Sequence, residues 1–177
     1  QYTRALEGLL VERYGAGWPD GESGDRLRGR IREFKERYLN GLPVEYDEAT
    51  ALGYAIYHLP AYYAAIQYVV ADLVRDDLVP ASPRVLDVGA GVGGPALGLA
   101  ELLGPDALVE YDAVEPSGAA REVLTRLLDE TGPNVHATVH ETTAEAFDFE
   151  GPYDLVVFAN VLSELDDPGA VVSRALE

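Results

Sequence analysis

Residues 87–94, DVGAGVGG, set a carboxylate and four glycines side by side. Glycine adopts backbone torsions closed to other residues and lets a ligand approach the main chain. Gly89, Gly91 and Gly94 fit the dinucleotide pattern G-x-G-x-x-G, whose amides and helix N-terminus hold a pyrophosphate. Asp87, Gly89, Gly91 and Gly93, with Ala90 among them, equally fit D-x-G-x-G-x-G. A strand-to-helix turn with no ligand would use the same residues, so the glycines alone do not choose.

Three neighbouring features separate the readings. Asp87 brings a negative charge that the sulfonium and amino group of S-adenosylmethionine (SAM) tolerate better than a pyrophosphate does. Helical sequence precedes the first strand, whereas a dinucleotide domain usually opens on it. Glu115, followed by Pro116, ends the second strand, where a carboxylate can grip the ribose hydroxyls of either cofactor. Together these favour SAM over a nicotinamide cofactor. Thr142 and Thr143 fall just past the third strand, where adenine is expected, although hydroxyls there also serve loop hydrogen bonds. Asn160 follows the fourth strand and is the candidate for orienting the acceptor or the cofactor; a helix cap is the alternative. Methyl transfer from a sulfonium is an in-line displacement, so no nucleophile–base pair is required.

These residues need a parallel sheet to bring them together. "RVLDV" reads as the first strand, and a helix from Pro95 to Leu103 follows, stopped by Gly104. "ALVEYDAVE" is the second strand, and Ser117 caps a helix that ends near Gly132. "NVHATVH" is the third, and "YDLVVFA" the fourth, apolar enough for burial on both faces. Asp166, Asp167 and Pro168 open another helix, inside which the chain stops. This order predicts an α/β, Rossmann-like doubly wound parallel sheet over residues 81–177, breaking off after its fourth strand.

Residues 1–80 predict a helical region. "QYTRALEGLLVERYG" is a helix closed at Gly15, and "GWPDGESGD" a loop. Leu27, Ile31, Phe34 and Tyr38 share one face of the next helix, and Pro60 interrupts a third helical stretch. Tyr54, Tyr57, Tyr62 and Tyr63 fit a core stripe better than a lid or base-stacking surface. His58 is expected to be structural rather than a general base.

The succession "VLDVGAGVGG", "AVEPS", "YDLVVFANVLSEL" resembles the class I SAM-dependent methyltransferases. With "LPAYYAA" upstream, the chain from about Tyr46 resembles the methyltransferase-like family of small-ribosomal-subunit assembly. The resemblance implies a SAM-binding fold serving small-subunit ribosomal RNA, with Asp87, Gly89, Ala90, Gly91, Gly93, Glu115, Pro116, Thr143 and Asn160 around the cofactor. Members of that family also carry a cysteine cluster, and this sequence has no Cys. A catalytically silent assembly factor and a NAD-dependent oxidoreductase are the competing readings.

Composition sets the remaining bounds. Without Cys, disulfides and thiolate metal sites are excluded, and the spacing of the three His suggests no zinc centre. No run reaches membrane-spanning length and no leader is visible, so a cytoplasmic location is expected. The sequence begins at Gln1 and contains no Met, as a piece of a longer protein would. Arg26, Arg28, Arg30, Arg32, Lys35 and Arg37 supply six of its thirteen cations, either as a phosphate-contacting stripe or as a helix face paired with its own acids. Elsewhere acids dominate, for a net charge of −18, and Lys35 is the single lysine. Such self-repulsion weakens a fold at low salt, and at about 1 M salt the screening length falls to roughly 3 Å. The composition therefore suggests a salt-loving source. Thermal melting followed by circular dichroism is expected to rise in temperature between dilute buffer and molar KCl; a flat response rules that reading out.

Overall fold

The computed structural model describes every residue except Gln1, Pro43, Glu45, Pro105, Val109 and Pro133. Four helices come first: α1 (Tyr2–Tyr14), α2 (Gly21–Leu39), α3 (Glu48–Tyr57) and α4 (Leu59–Arg75). Strands and helices then alternate as β1 (Arg84–Val88), α5 (Gly94–Leu103), β2 (Glu110–Val114), α6 (Gly118–Thr131) and β3 (Ala137–His140). The strand β4 (Leu155–Val157), a 3-10 turn (Leu162–Glu164) and α7 (Pro168–Ala175) complete the order.

All four strands are parallel, in the order β3-β2-β1-β4. After β1 the chain winds outward through β2 and β3, then returns to the other side of β1 as β4. Diverging crossovers leave a crevice beyond the carboxyl ends of β1 and β4, the place where open α/β sheets receive ligands. The registers Asp87↔Ala113 and Asp87↔Val157 set the end of β1 level with both neighbours.

Local chemistry explains the element ends. Ser117 Oγ accepts the Ala120 amide at 3.2 Å and starts α6; Asp167 accepts the Ala170 amide at 3.0 Å and starts α7. Asp47 caps α3 through the Thr50 amide at 2.8 Å, and Arg30 of α2 pairs with the same carboxylate. Pro60 separates α3 from α4 at His58.

Two readings of the sequence are corrected. The glycine-rich stretch after Pro19 is helical from Gly21, not a loop. Gly24 lies against the Trp18 and Pro19 carbonyls, where a Cβ would stand 2.8 Å from Trp18 O; Arg28 Nη1 donates to Pro19 O at 2.7 Å. Tertiary fit thus overrides weak helix propensity. Strand β4 is not buried on both faces: it stands at the sheet edge, with Leu155 and Val156 half-buried and only Val157 buried.

The N-terminal helices share the sheet's core. Ala5, Leu6 and Leu10 of α1 join Val123, Leu124 and Leu127 of α6 in one apolar cluster that also contains Leu59 and Leu97. Helix α4 lies so close to α5 that a Cβ on Gly98 would come within 2.6 Å of Tyr63 O and against Ile66. Backbone oxygen cannot yield as a flexible side chain does. Gly98→Ala is therefore expected to lower stability by about 1–3 kcal/mol in urea unfolding; an unchanged midpoint would show that α4 and α5 separate freely.

Candidate functional site

The turn after β1 is built by three glycines in the left-handed region, Gly89, Gly91 and Gly93, with φ of 74°, 54° and 89°. A Cβ on Gly89 would also lie 2.5 Å from Val161 Cγ2, so space as well as torsion demands glycine there. The turn's amides, however, are largely engaged. Gly89 and Ala90 donate to Val114 O at 2.8 and 3.1 Å, Gly93 donates to Ala90 O at 3.0 Å, and Gly91 donates to Glu115 Oε2 at 2.9 Å. The expectation that these N–H groups face a ligand is therefore corrected. A pyrophosphate would find four of its natural donors already taken.

Glu115 is the hub. Its second oxygen accepts the Ser117 amide at 2.8 Å, so one carboxylate ties the glycine turn to the start of α6. Arg121 fixes the same corner by donating to the carbonyls of Glu115 and Pro116 at 2.8 and 2.7 Å. Burial pushes the Glu115 carboxyl above its ordinary range, partly offset by the two amides and Arg121. Each oxygen holds one protein donor and keeps a lone pair for another.

A cavity of about 290 Å³ opens over the turn, close to the lower end of the roughly 300–1,000 Å³ typical of small-molecule sites. Gly89, Ala90, Gly91, Glu115, Pro116, Thr143 and Asn160 all line it. Glu115, Glu145 and Glu164 are among the lining residues, and no Lys or Arg is. The Glu164 carboxyl is also raised, by desolvation and then by Glu115. Such a wall accommodates a cationic ligand and opposes a phosphate.

Asp87 and Gly93 stand outside that lining. Asp87 is fully buried and accepts the Tyr111 hydroxyl at 2.7 Å, while its other oxygen has no partner among the described residues. Gly93 backs onto Leu124 of α6 and begins α5. Thr143 Oγ1 also accepts the Ala146 amide at 3.4 Å, and Thr142 is not among the lining residues. Asn160 is exposed with a left-handed φ of 60°. Its side chain caps no helix and has no hydrogen bond among the described residues.

The tyrosines divide. Tyr63 packs on Tyr2 with ring centroids 4.8 Å apart, as core; Tyr57 is exposed. Tyr54 and Tyr62 line the cavity, and the Tyr54 hydroxyl donates to that of Tyr62 at 3.0 Å. Burial, then this contact, holds the Tyr54 phenol far above its ordinary value, so it stays a neutral donor. Sequence reasoning missed Tyr46, whose phenol burial also raises. Glu164 is exposed and lines the cavity as well. Only the "VLSEL" turn hinted at the latter.

Residues 86–177 match the model of the methyltransferase domain family, just over half of the chain. Similar solved structures include a provisionally described SAM-dependent methyltransferase from Methanococcus maripaludis, 16% identical, TM-score 0.57, covering 76% of this chain and 61% of that one. A provisionally described O-methyltransferase from Nostoc punctiforme is 22% identical, TM-score 0.56, with 98% and 50% covered. Magnesium protoporphyrin IX methyltransferase from Synechocystis, solved with SAM bound, is 18% identical, TM-score 0.51, with 96% and 70% covered. The chain thus spans half to about two thirds of the length of these three. No curated protein matches the sequence. The fold is the Rossmann-like class I methyltransferase fold preceded by helices. This chain belongs to the methyltransferase domain family. Among the described residues, no helix is long and apolar enough to cross a membrane.

Burial pushes the Asp87 carboxyl up to about 7, against the lowering effect of the Tyr111 hydroxyl. A raised carboxyl keeps its proton in the fold where the unfolded chain has lost it. Its contribution therefore declines as pH climbs from the unfolded value to about 7. Asp87→Asn is expected to match the wild type near pH 4 and exceed it at pH 8 by on the order of 1–3 kcal/mol. Parallel pH–stability curves for the two proteins would show that Asp87 is ionised in the fold.

Proposed function

We propose that this chain is the SAM-binding part of a methyltransferase. The observation that carries the reading is the cavity over the glycine turn, lined by Glu115, Glu145 and Glu164 and by no cation. Four of the turn's amides, those of Gly89, Ala90, Gly91 and Gly93, are bonded within the protein, which disfavours a pyrophosphate and hence the nicotinamide reading. The free lone pairs of Glu115 would take the ribose hydroxyls, Thr143 would lie by the base, and Asn160 would face the donor or acceptor. Asp87 would act from beneath the turn, as a positioning group. SAM supplies an activated methyl group. Held there, it would supply that group to an acceptor lone pair, with the carbon–sulfur electron pair left on sulfur and the acceptor's proton passed to solvent, so that the residues around it need only position donor and acceptor.

Small-subunit ribosomal RNA is the acceptor implied by the sequence resemblance, either as a substrate or as the docking site of a silent assembly factor. Arg26, Arg32 and Lys35 support it, since they make no ion pair among the described residues. Arg28 and Arg30 weaken it, because they are paired with Asp25 and with Glu33 and Asp47.

Calorimetry at high salt is expected to show SAM and S-adenosylhomocysteine binding, and no binding of NAD. Glu115→Gln should weaken SAM about 10–100-fold, the loss expected when charged hydrogen bonds are removed. Binding of NAD with indifference to SAM refutes the assignment.

A further inference from the structure

A second cavity, of about 450 Å³, lies between α2, α3 and the start of α4. Its lining reverses the first. Arg28, Arg32 and Lys35 face it and, among the described residues, no Asp or Glu does, in a chain carrying 31 acidic residues. Phe34, Tyr38, Tyr54, Tyr57, Tyr62 and His58 supply ring surface. All of these rings but Tyr57 form one connected set: Phe34 stacks on Tyr38 at 6.1 Å and meets Tyr54 edge-on at 5.9 Å, Tyr54 meets His58 at 4.5 Å, and His58 stacks on Tyr62 at 6.0 Å. Gly53 lets α2 close on α3, since a Cβ there would stand 2.5 Å from Ile31 Cγ1. Tyr54 and Tyr62, joined through their hydroxyls, belong to both cavities and form their common wall.

We infer that this cavity binds a small aromatic anion, an aromatic carboxylate or its like, as the molecule presented to the cofactor cavity across the Tyr54–Tyr62 wall. Ring faces select a planar ligand, and the edges and faces of neighbouring aromatics pack it directionally. Arg32 and Lys35, exposed and without an ion pair among the described residues, select its charge. A polynucleotide fits less well. The net charge of −18 repels a polyanion along its whole length, whereas a single anionic group meets only the local cations. The binding itself is independent of the methyl-donor reading; its purpose as acceptor site rests on it.

The test is calorimetry on the intact chain with 4-hydroxycinnamate, 4-hydroxybenzoate and 1-naphthoate, each against its neutral alcohol. At least one acid is expected to bind ten times more tightly than its alcohol. The double variant Arg32→Gln/Lys35→Gln should remove at least tenfold of that affinity while leaving the alcohol unchanged. Each single variant should remove about threefold. The substituted side chains are exposed, and an unaltered circular dichroism melt would verify the fold. SAM titration of the same double variant should match the wild type. Should no acid bind, should acids and alcohols bind alike, or should a uridine hexanucleotide bind more tightly with the same dependence on Arg32 and Lys35, the inference is overturned. Failure of SAM to bind the wild type would instead defeat the donor assignment and leave the anion titration to stand on its own result.

Discussion

One buried carboxylate holds the site together. Glu115 stands at the end of β2, accepts an amide from the glycine turn and another from the start of α6, and leaves the rest of its acceptor capacity facing the cavity. Burying a carboxylate is unfavourable unless donors meet it, and here two backbone N–H groups do so without bringing a balancing cation into the pocket. Arg121 contributes from the side: it hydrogen-bonds to the Glu115 and Pro116 carbonyls, and its charge favours the ionised carboxylate. The pocket is therefore lined by carboxyl groups with no lining cation, while the same carboxylate ties the glycine turn to α6.

The same economy of charge divides the two cavities. Acids line the space over β1, cations line the space under α2, and two tyrosines linked by a hydrogen bond stand between them. Opposite potentials on the two sides of a thin aromatic wall suit a cationic donor facing an anionic partner. The helices that precede the sheet thus do more than cover it: α3 and α4 supply Tyr54 and Tyr62, and α2 supplies the cations.

Where sequence and structure part, the reason is packing at a distance. The turn formers at residues 20–25 read as a loop, yet α2 takes them in because Gly24 can lie on the Trp18 and Pro19 carbonyls. The apolar β4 reads as buried on both faces, yet Leu155 and Val156 are half-buried, because among the described strands β4 pairs with β1 alone. Asp87 reads as a cofactor neighbour from its spacing to the glycines. Alternation along β1 points its side chain beneath the turn, to Tyr111. The tyrosines look alike on one helical stripe, and only the crossing of α4 over α5 separates the core Tyr63 from the cavity-lining Tyr62.

By itself the sequence determined the alternation of strands and helices from Arg84 onward, the caps at Ser117 and Asp167, and the glycine turn with Glu115 facing it. Each depends on residues near in the chain or on the regular period of one element. Tertiary structure alone decided which turn amides remain free, that Glu164 and Tyr46 join the cavity wall, and that cations from α2 meet rings from α3 and α4. Those arrangements depend on how layers pack across tens of residues, and no local pattern of side chains encodes a distance between elements.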